Sequence, residues 1–581
     1  MVARAQDVPA LKNREADGPP DLGSTAVHLE RLVTLEVALY LGAVLLGVLL
    51  RFLLLDQRPL SVEEGTLAAE AYRISLGRPP EALRQGALGD YGTALALLLF
   101  GGSDAAARVF PAIAGSVLVG IPFLLRSSLG RLPALAATYG VALSPVMLFA
   151  SRDVGEAMIA VATAGLLWAT LDPGLKKVTR DRAYAAAVLL AALIACGAEG
   201  ITVLVTLMVS AWLSHPRPTS LLKEGGKMLA SPVGKGATAV FMGSMLLIGT
   251  NFGSNPQGLQ WAAVDGWATW ARSFSLSVPR GTVVLLLLLY EWPVVLLGLL
   301  QLFRTVVRRD RIDSFLSLWA LLLLLVGMLQ VEDMTSRVLL PLFPLYLLSA
   351  RLVAETLPLA KGASLNGRWL VSAVALAVPI AVAMVMLNRV STPGTSTPVE
   401  YFYAEACLVA VAAVLMAVLP ERRGQLALAW WAVAILFAGY LVHGAAFLNY
   451  RMETVSMEPL VGAQVSPILR DAATYESYIS QYFQTRVTVD PELRTPLAWY
   501  LRAAKDVAYS TELTRGIGLS LLRGDAAPTD PGSDRRPGLY TPSIDSRELT
   551  WQGVWRWAVS RGGLVTPNQR DIIVRAPAGN W

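Results

Sequence analysis

From residue 33 to residue 448 the chain alternates long apolar runs with short polar loops. An α-helix rising about 1.5 Å per residue needs about 20 such residues to cross about 30 Å of hydrocarbon. The pattern predicts a first span over 33–55. Further spans follow near 105–125, 132–150, 154–171, 183–197, 200–214, 236–250, 282–303, 314–330, 338–355, 369–387, 403–419 and 426–447, about thirteen helices in all. Two stretches in the loop 56–104 behave differently. Between Val62 and Leu76, Leu67, Ala68, Ala71 and Ile74 recur at helical spacing against Glu63, Glu70 and Arg73, which suits a helix lying on the membrane. The apolar stretch from Tyr91 holds only about a dozen residues, too short to span, and is expected to be juxtamembrane or re-entrant.

Outside the spans the periodicity changes. Residues 1–32 are polar, include Pro19-Pro20, lack the apolar core of a signal peptide and read as a flexible cytoplasmic tail. Residues 449–581 read as a small extracytoplasmic α/β domain. There the segments from Thr485, Leu497 and Arg570 read as strands, the segment from Ser466 as a helix, and PTDPGSDRRPG from Pro528 as a loop.

Composition agrees with a polytopic membrane protein: 54% of the 581 residues are hydrophobic and 16% charged. The net charge of +6 does not call for nucleic acid, because the basic residues gather in short loops between spans, as positive-inside topology requires. With the N-terminus inside, the loops at 126–131, 176–182, 217–235, 304–311, 351–368 and 422–423 are all cytoplasmic. Had the Tyr91 stretch crossed, every later loop would change sides. Arg51 then falls near the outer interface, where a long side chain can snorkel. Cys196 and Cys407 lie inside apolar segments, and the histidines are far apart, so neither a disulfide framework nor a His/Cys metal site is expected.

The same topology gathers a particular set of polar residues on the outer side: Glu63 and Glu64, then Arg152, Asp153 and Glu156, the loop from Phe252, and VEDMTSR ending at Arg337. A carboxylate there can take a proton from an acceptor hydroxyl while an arginine, always charged and forked, stabilises a phosphate leaving group. Each residue also has a structural reading. Arg152, Asp153 and Glu156 suit a pair network at a helix start, and Arg337 an interfacial anchor. Glu199 suits a tight helical turn, and Glu405 is another acid at a membrane edge. Trp261, Trp267, Trp270 and Trp292 fit an interfacial aromatic belt as well as a sugar platform. Adjacent carboxylates can also hold Mg²⁺ or Mn²⁺ through oxygen ligands.

In order and spacing, these residues resemble the GT-C superfamily of membrane glycosyltransferases, in the branch of dolichyl-phosphate-mannose protein mannosyltransferases and flippase-activity-associated proteins. Glu63-Glu64 stand where that branch has an acidic pair after its first helix, and Tyr91-Gly92-Thr93-Ala94 where it has an HGPL-like stretch. Asp104, Arg108 and Gly115 match the "FG-sD-aaR-lpal-G" segment, and Ser144, Pro145, Ser151, Arg152 and Glu156 match its SP…SR…E pattern. Ser254-Asn255-Pro256, Tyr290-Glu291, Arg337 to Pro341 and PLAWYLR from Pro496 look like its later landmarks. The pair here is Glu-Glu rather than Asp-Glu, and the flanking histidines are absent.

The resemblance implies an inverting, hexosyltransferase-like enzyme moving a sugar from a polyprenyl phosphate to a glycan, lipid or protein acceptor at the outer face of the plasma membrane. Glu63 or Glu64 would be the base, Glu156 would position the acceptor, and Arg152 and Arg337 would hold the lipid phosphate. Asp153, Tyr91 and Trp261 would line the substrate site. Two other readings stand beside it: a non-catalytic lipid-linked-sugar binding or flippase-associated accessory, and a transporter. Orientation is directly testable. A cysteine introduced near Asp530 should react with an impermeant reagent in intact cells; reaction only after lysis would reverse the topology.

Overall fold

The computed structural model describes residues 35–79, 86–172, 179–216, 225–275, 281–331, 333–360, 422–450, 458–483, 485–511, 520–523, 533–544 and 564–575, with a few isolated residues besides. The tail 1–32, the expected spans at 369–387 and 403–419, and Glu405 lie outside them. The helices are α1 (Leu35–Phe52), α2 (Val62–Ser75), α3 (Ala87–Phe100), α4 (Asp104–Leu124), α5 (Arg131–Leu143), α6 (Pro145–Ala150), α7 (Ala157–Thr170), α8 (Arg180–Ala195), α9 (Gly197–Leu213), α10 (Pro232–Gly249), α11 (Gly281–Arg308), α12 (Arg311–Leu329), α13 (Met334–Leu339), α14 (Leu342–Ala360), α15 (Arg422–Tyr450) and α16 (Pro467–Phe483). Among the described residues, six helical stretches are long and apolar enough to cross a membrane.

The span expected over 132–150 is broken. Pro145 opens α6 at a position where no intrahelical N–H is needed, and the Ser144 hydroxyl caps the Met147 N–H at 3.1 Å. Across the bundle, Glu291 interrupts α11 with non-helical φ/ψ of −129° and 22° beside Pro293. Its carboxylate accepts from the Ser144 hydroxyl at 2.6 Å, the Val146 N–H at 3.2 Å and the Tyr346 hydroxyl at 2.6 Å. Two helix breaks are thereby pinned to each other and to the body of α14, where freed backbone groups in a membrane must find partners inside the protein. Arg51 does not snorkel. It is fully buried and donates to the carbonyls of Gly47 at 3.1 Å and Val141 at 3.2 Å.

Both ends of α3 are tied to the side of the bundle that carries the α8–α9 junction and the sheet. At the start, Gly86 packs so closely on the α8–α9 junction that a Cβ would lie 2.6 Å from the Ala195 carbonyl. At the end, the Gly102 carbonyl accepts from Arg502 at 2.5 Å. α8 and α9 are joined at Cys196, with Gly197 at φ +66°, a conformation that glycine adopts without the Cβ penalty.

The C-terminal part folds as a sheet of β1 (Gln464–Val465), β2 (Arg486–Val489), β3 (Asp506–Tyr509), β4 (Ser520–Arg523), β5 (Ser533–Ile544) and β6 (Val565–Arg575), in the order β1-β5-β6-β4-β2-β3. β2 pairs in parallel with β3 and β4, while β5 and β6 form a long antiparallel pair with a register shift at Pro537. Two local expectations change. The segment from Leu497 is not a strand: Arg494–Leu497 is a helical turn, and Trp499 and Tyr500 turn inward instead. The stretch from Ser533 is not loop but β5, its Pro accommodated at the bulge.

α2 is expected on the membrane surface and is found clamped between the bundle and the sheet. Its Ala68 and Ala71 are buried with Leu97, Ala107, Leu469 and Trp499. The Val62 N–H donates to the Ala463 carbonyl at 2.8 Å, and the Trp499 indole N–H to Asp104 at 2.7 Å. Trp499→Ala empties a site that is 1% exposed and removes that bond. A loss of about 3–5 kcal/mol is expected, read as a lower unfolding temperature and faster proteolysis of the sheet in detergent; wild-type values for both would show that Trp499 does not hold the two parts together.

Candidate functional site

The loop Leu53 to Ser61 carries the chain from α1 to α2, and the acidic pair lies in the first turn of α2. Ser61 and Glu64 form a reciprocal capping box: the Glu64 N–H donates to the Ser61 hydroxyl at 3.1 Å, and the Ser61 N–H to Glu64 Oε2 at 2.9 Å. One helical turn thus fixes opposite fates for neighbours. Glu64 is buried at 1% exposure, while Glu63 points outward and is exposed.

Glu64 is saturated. Its Oε1 accepts from Arg108 Nε at 2.8 Å and the Val154 N–H at 3.2 Å. Its Oε2 accepts from Arg108 Nη2 at 2.9 Å, Arg58 at 3.1 Å and the Ser61 N–H. An ionised carboxylate offers about four lone-pair sites, so no room remains for a substrate hydroxyl. Burial by itself would raise the Glu64 carboxyl, but Arg108 and Arg58 outweigh it and hold it down at about 2. Arg108, from α4, spends its other N–H groups on the carbonyls of Leu55, Arg58 and Pro59, so the pair also fixes the loop before α2.

Asp153 meets Arg58 at 3.0 Å. Burial first, and then the Glu64 charge, raise its carboxyl well above the usual range, against the pull of Arg58. Arg58 also lies over the Phe149 ring at 4.4 Å and keeps one buried nitrogen, Nη1, without a hydrogen-bond partner among the described residues. No sequence motif marked Arg58. Its only signal was a cation in a loop otherwise expected to be acidic.

Glu63 is paired with a residue the sequence offered only as part of VEDMTSR. Asp333 caps α13, accepting from the Thr335 N–H at 3.1 Å, and its carboxyl hydrogen-bonds Glu63. Burial first, then the Glu63 charge, push Asp333 up to about 7. Asp333 keeps accessible surface while being closely surrounded by protein, which places it in the wall of a recess rather than on an outer surface. Glu199, in the first turn of α9, is near enough for its charge to interact with Asp333.

The remaining expected residues take structural positions. Arg152 is not turned to the recess. Its guanidinium donates to the carbonyls of Leu50 at 3.0 Å, Leu53 at 2.5 Å and Leu54 at 2.8 Å, capping the end of α1, and stacks on Tyr450 at 4.6 Å. Glu156 is 1% exposed beneath the start of α3, where Oε1 accepts the Gly89 N–H at 2.9 Å. A Cβ at Gly89 would lie 2.5 Å from that oxygen, so only glycine permits the approach. The burial of Glu156 keeps it out of reach of an acceptor.

Arg337 is 3% exposed and donates to the Gly327 carbonyl at 2.7 Å; it lies four residues beyond Asp333, on the same face of its helix. The Tyr91 hydroxyl accepts from Asn255 at 3.0 Å. Trp261 packs with Tyr91, Leu259 and Phe241 around Met245, an apolar setting in place of a sugar platform. Trp270 donates to Thr202 at 3.0 Å.

Among the described residues, no three His, Cys, Asp or Glu side chains are arranged to hold a metal ion. The Mg²⁺ or Mn²⁺ allowed by the sequence would draw on Glu63 and Asp333, whose carboxyls lie side by side.

No family model matches the sequence, and no curated protein matches it. Among solved structures the chain is similar to ArnT from Cupriavidus metallidurans bound to undecaprenyl phosphate, with a TM-score of 0.55 at 16% identity, over 94% of this chain and 99% of that one. It is similar to the same protein in the apo state with a TM-score of 0.53 at 15% identity, over 95% and 98% of the two chains. The likeness shows the fold alone: a bundle of long apolar helices that carries a C-terminal sheet.

The geometry predicts an acid response. A carboxyl lowered from 4.5 to about 2 gives stability that is complete above the higher value and lost as pH falls through the lower one. Glu64→Gln should cost roughly 3–5 kcal/mol at neutral pH, because Arg108 stays buried without its counter-charge, and should flatten the loss of stability below about pH 4.5. An acid unfolding profile identical to wild type would mean that Glu64 carries no such charge.

Proposed function

We propose that this protein is a membrane glycosyltransferase that moves a sugar from a polyprenyl-phosphate donor to an acceptor hydroxyl at the outer face of the membrane. The division of labour within the acidic pair carries the reading: Glu64 is locked into structure by five donors, and Glu63, its neighbour, stands open in the recess beside Asp333. A lipid phosphate bound to a protein of the same fold supports the donor class.

In this reading Glu63 takes the proton of the acceptor hydroxyl as the acceptor oxygen attacks the anomeric carbon. The bond from that carbon to the phosphate oxygen breaks on the opposite side, the configuration inverts, and the polyprenyl phosphate leaves with the electron pair. Arg58, half-freed by its unpartnered nitrogen, together with Arg337, supplies the positive charge that the leaving phosphate needs. Protonated Asp333 orients Glu63 through their hydrogen bond. The sheet of β1 to β6 closes the recess from the outer side, with residues 449–581 extracytoplasmic, and Arg152 and Glu156 act by holding α1 and α3 in place. A hexose is the sugar that the resemblance favours.

Glu63→Gln keeps the shape but removes proton acceptance, and turnover should fall by roughly two to four orders of magnitude while unfolding temperature and lipid binding stay near wild type. The assay is release of free polyprenyl phosphate from a panel of lipid-linked sugars by purified protein. Unchanged turnover in Glu63→Gln overturns the assignment of the base. Lipid binding without turnover by the wild-type protein on every donor indicates an accessory protein instead.

A further inference from the structure

The bundle has a second chamber that the acidic recess does not use. A cavity of about 700 Å³ lies between α7, α8, α9, α10 and α12, a volume in the range of ligand sites. Its walls include Trp168, Leu190, Leu207, Phe241 and Phe315, with the Trp168 and Phe315 rings 5.3 Å apart. It sits at the end of the bundle remote from Glu63. α7 starts beside Glu156, α9 starts two residues before Glu199, and α12 ends four residues before Asp333, whereas the cavity reaches Leu171, Ser214 and Arg311 at their other ends. The length of α9 separates the two sites by about 25 Å.

The polarity of the lining is one-ended. Ser128, Ser214 and Arg311 stand at the rim, and apart from Thr238 and the Trp168 indole N–H the body is aliphatic, aromatic or thioether. Water in such a body would lack the two to four polar partners it needs. Met208 and Leu229, on the lining, are themselves 54% and 62% exposed, so the chamber opens sideways to the apolar surroundings of the helices.

Arg311 gives the rim its charge. It is exposed and makes no ion pair or hydrogen bond among the described residues, because other arginines take the nearby acids. Arg351 holds both Asp310 and Asp313, and Arg304 and Arg308 hold Glu355. Asp172, next in sequence to the lining residue Leu171, accepts from the hydroxyls of Ser127 and Ser128. A cation in the first turn of α12 works against the helix dipole, so Arg311 does nothing for its own helix.

An apolar chamber open to the bilayer, with an exposed guanidinium at its mouth that no described acid pairs, matches an amphiphile with an anionic head. We propose that the cavity binds one hydrocarbon chain of an anionic glycerophospholipid, with its phosphate forked onto Arg311. The site takes its lipid from the leaflet opposite the acidic recess, and it stands whether or not that recess is catalytic.

The test uses the full-length protein in vesicles doped with phosphatidylglycerol or phosphatidylcholine carrying a photoactivatable acyl chain, with cross-links mapped by mass spectrometry. Phosphatidylglycerol should label peptides around Leu207 and Phe315 about tenfold more than phosphatidylcholine, the ratio expected of one charge-assisted contact. Arg311→Gln, a change at an exposed position, should bring the two lipids level. Ala187→Trp should fill the chamber and abolish labelling inside it while leaving the outward residues of α1, such as Leu45 and Leu49, labelled as before. Equal labelling by both lipids in the wild type, or cavity labelling no stronger than at Leu45 and Leu49, overturns the proposal; so does indifference to Arg311→Gln.

Discussion

The Arg108–Glu64 ion pair is the contact on which the outer half of this molecule depends. Both side chains are 1% exposed, and leaving either charge without the other in that setting is prohibitive. The pair ties α4 to α2, and the remaining donors of Arg108 hold the carbonyls of Leu55, Arg58 and Pro59. Through Val154 the same carboxylate reaches the loop before α7. Three segments distant in sequence are therefore referenced to one carboxylate. Glu63, one residue away, inherits a fixed position without spending any of its own oxygens on the scaffold.

A similar economy recurs wherever a helix breaks. Backbone groups freed at a kink cannot turn to lipid, so side chains with several donors or acceptors collect at those points. Arg152 closes α1, Arg51 bridges α1 to the end of α5, and Glu291 gathers Ser144, Val146 and Tyr346. Charged residues in apolar segments are ordinarily a sign of function. Here several are engaged in structure, and what sets the recess residues apart is that Glu63 and Asp333 retain accessible surface while facing each other.

The sheet completes the arrangement by clamping α2 from above. Trp499 and Tyr500 anchor it on Asp104 and on the Leu60 carbonyl, beside the acidic turn. An element that packs there both stabilises the turn and narrows access to Glu63, which is how one contact serves fold and site together.

What the sequence determined by itself was whatever depends on local periodicity and on the cost of burying charge. Apolar runs long enough to span marked the helical bundle, and the shortness of the Tyr91 stretch set it apart from them in the sequence. The order of the acidic pair, Arg108 and the Ser144–Glu156 pattern marked the fold now seen. The tertiary structure decided the partners. Glu63 and Glu64 are chemically identical in the sequence; a capping box and a buried arginine from α4 separate them. Arg152 and Arg337 looked alike as phosphate ligands until one was found closing a helix and the other on the helix capped by Asp333. Asp333 itself had no sequence signal beyond its charge, because its partner is far along the chain and a hydrogen bond between distant carboxyls leaves no local pattern. Strands suffered the same blindness: PLAWYLR has strand-like residues, but Trp499 and Tyr500 found buried partners on α2 and α4, and that packing outweighed local preference.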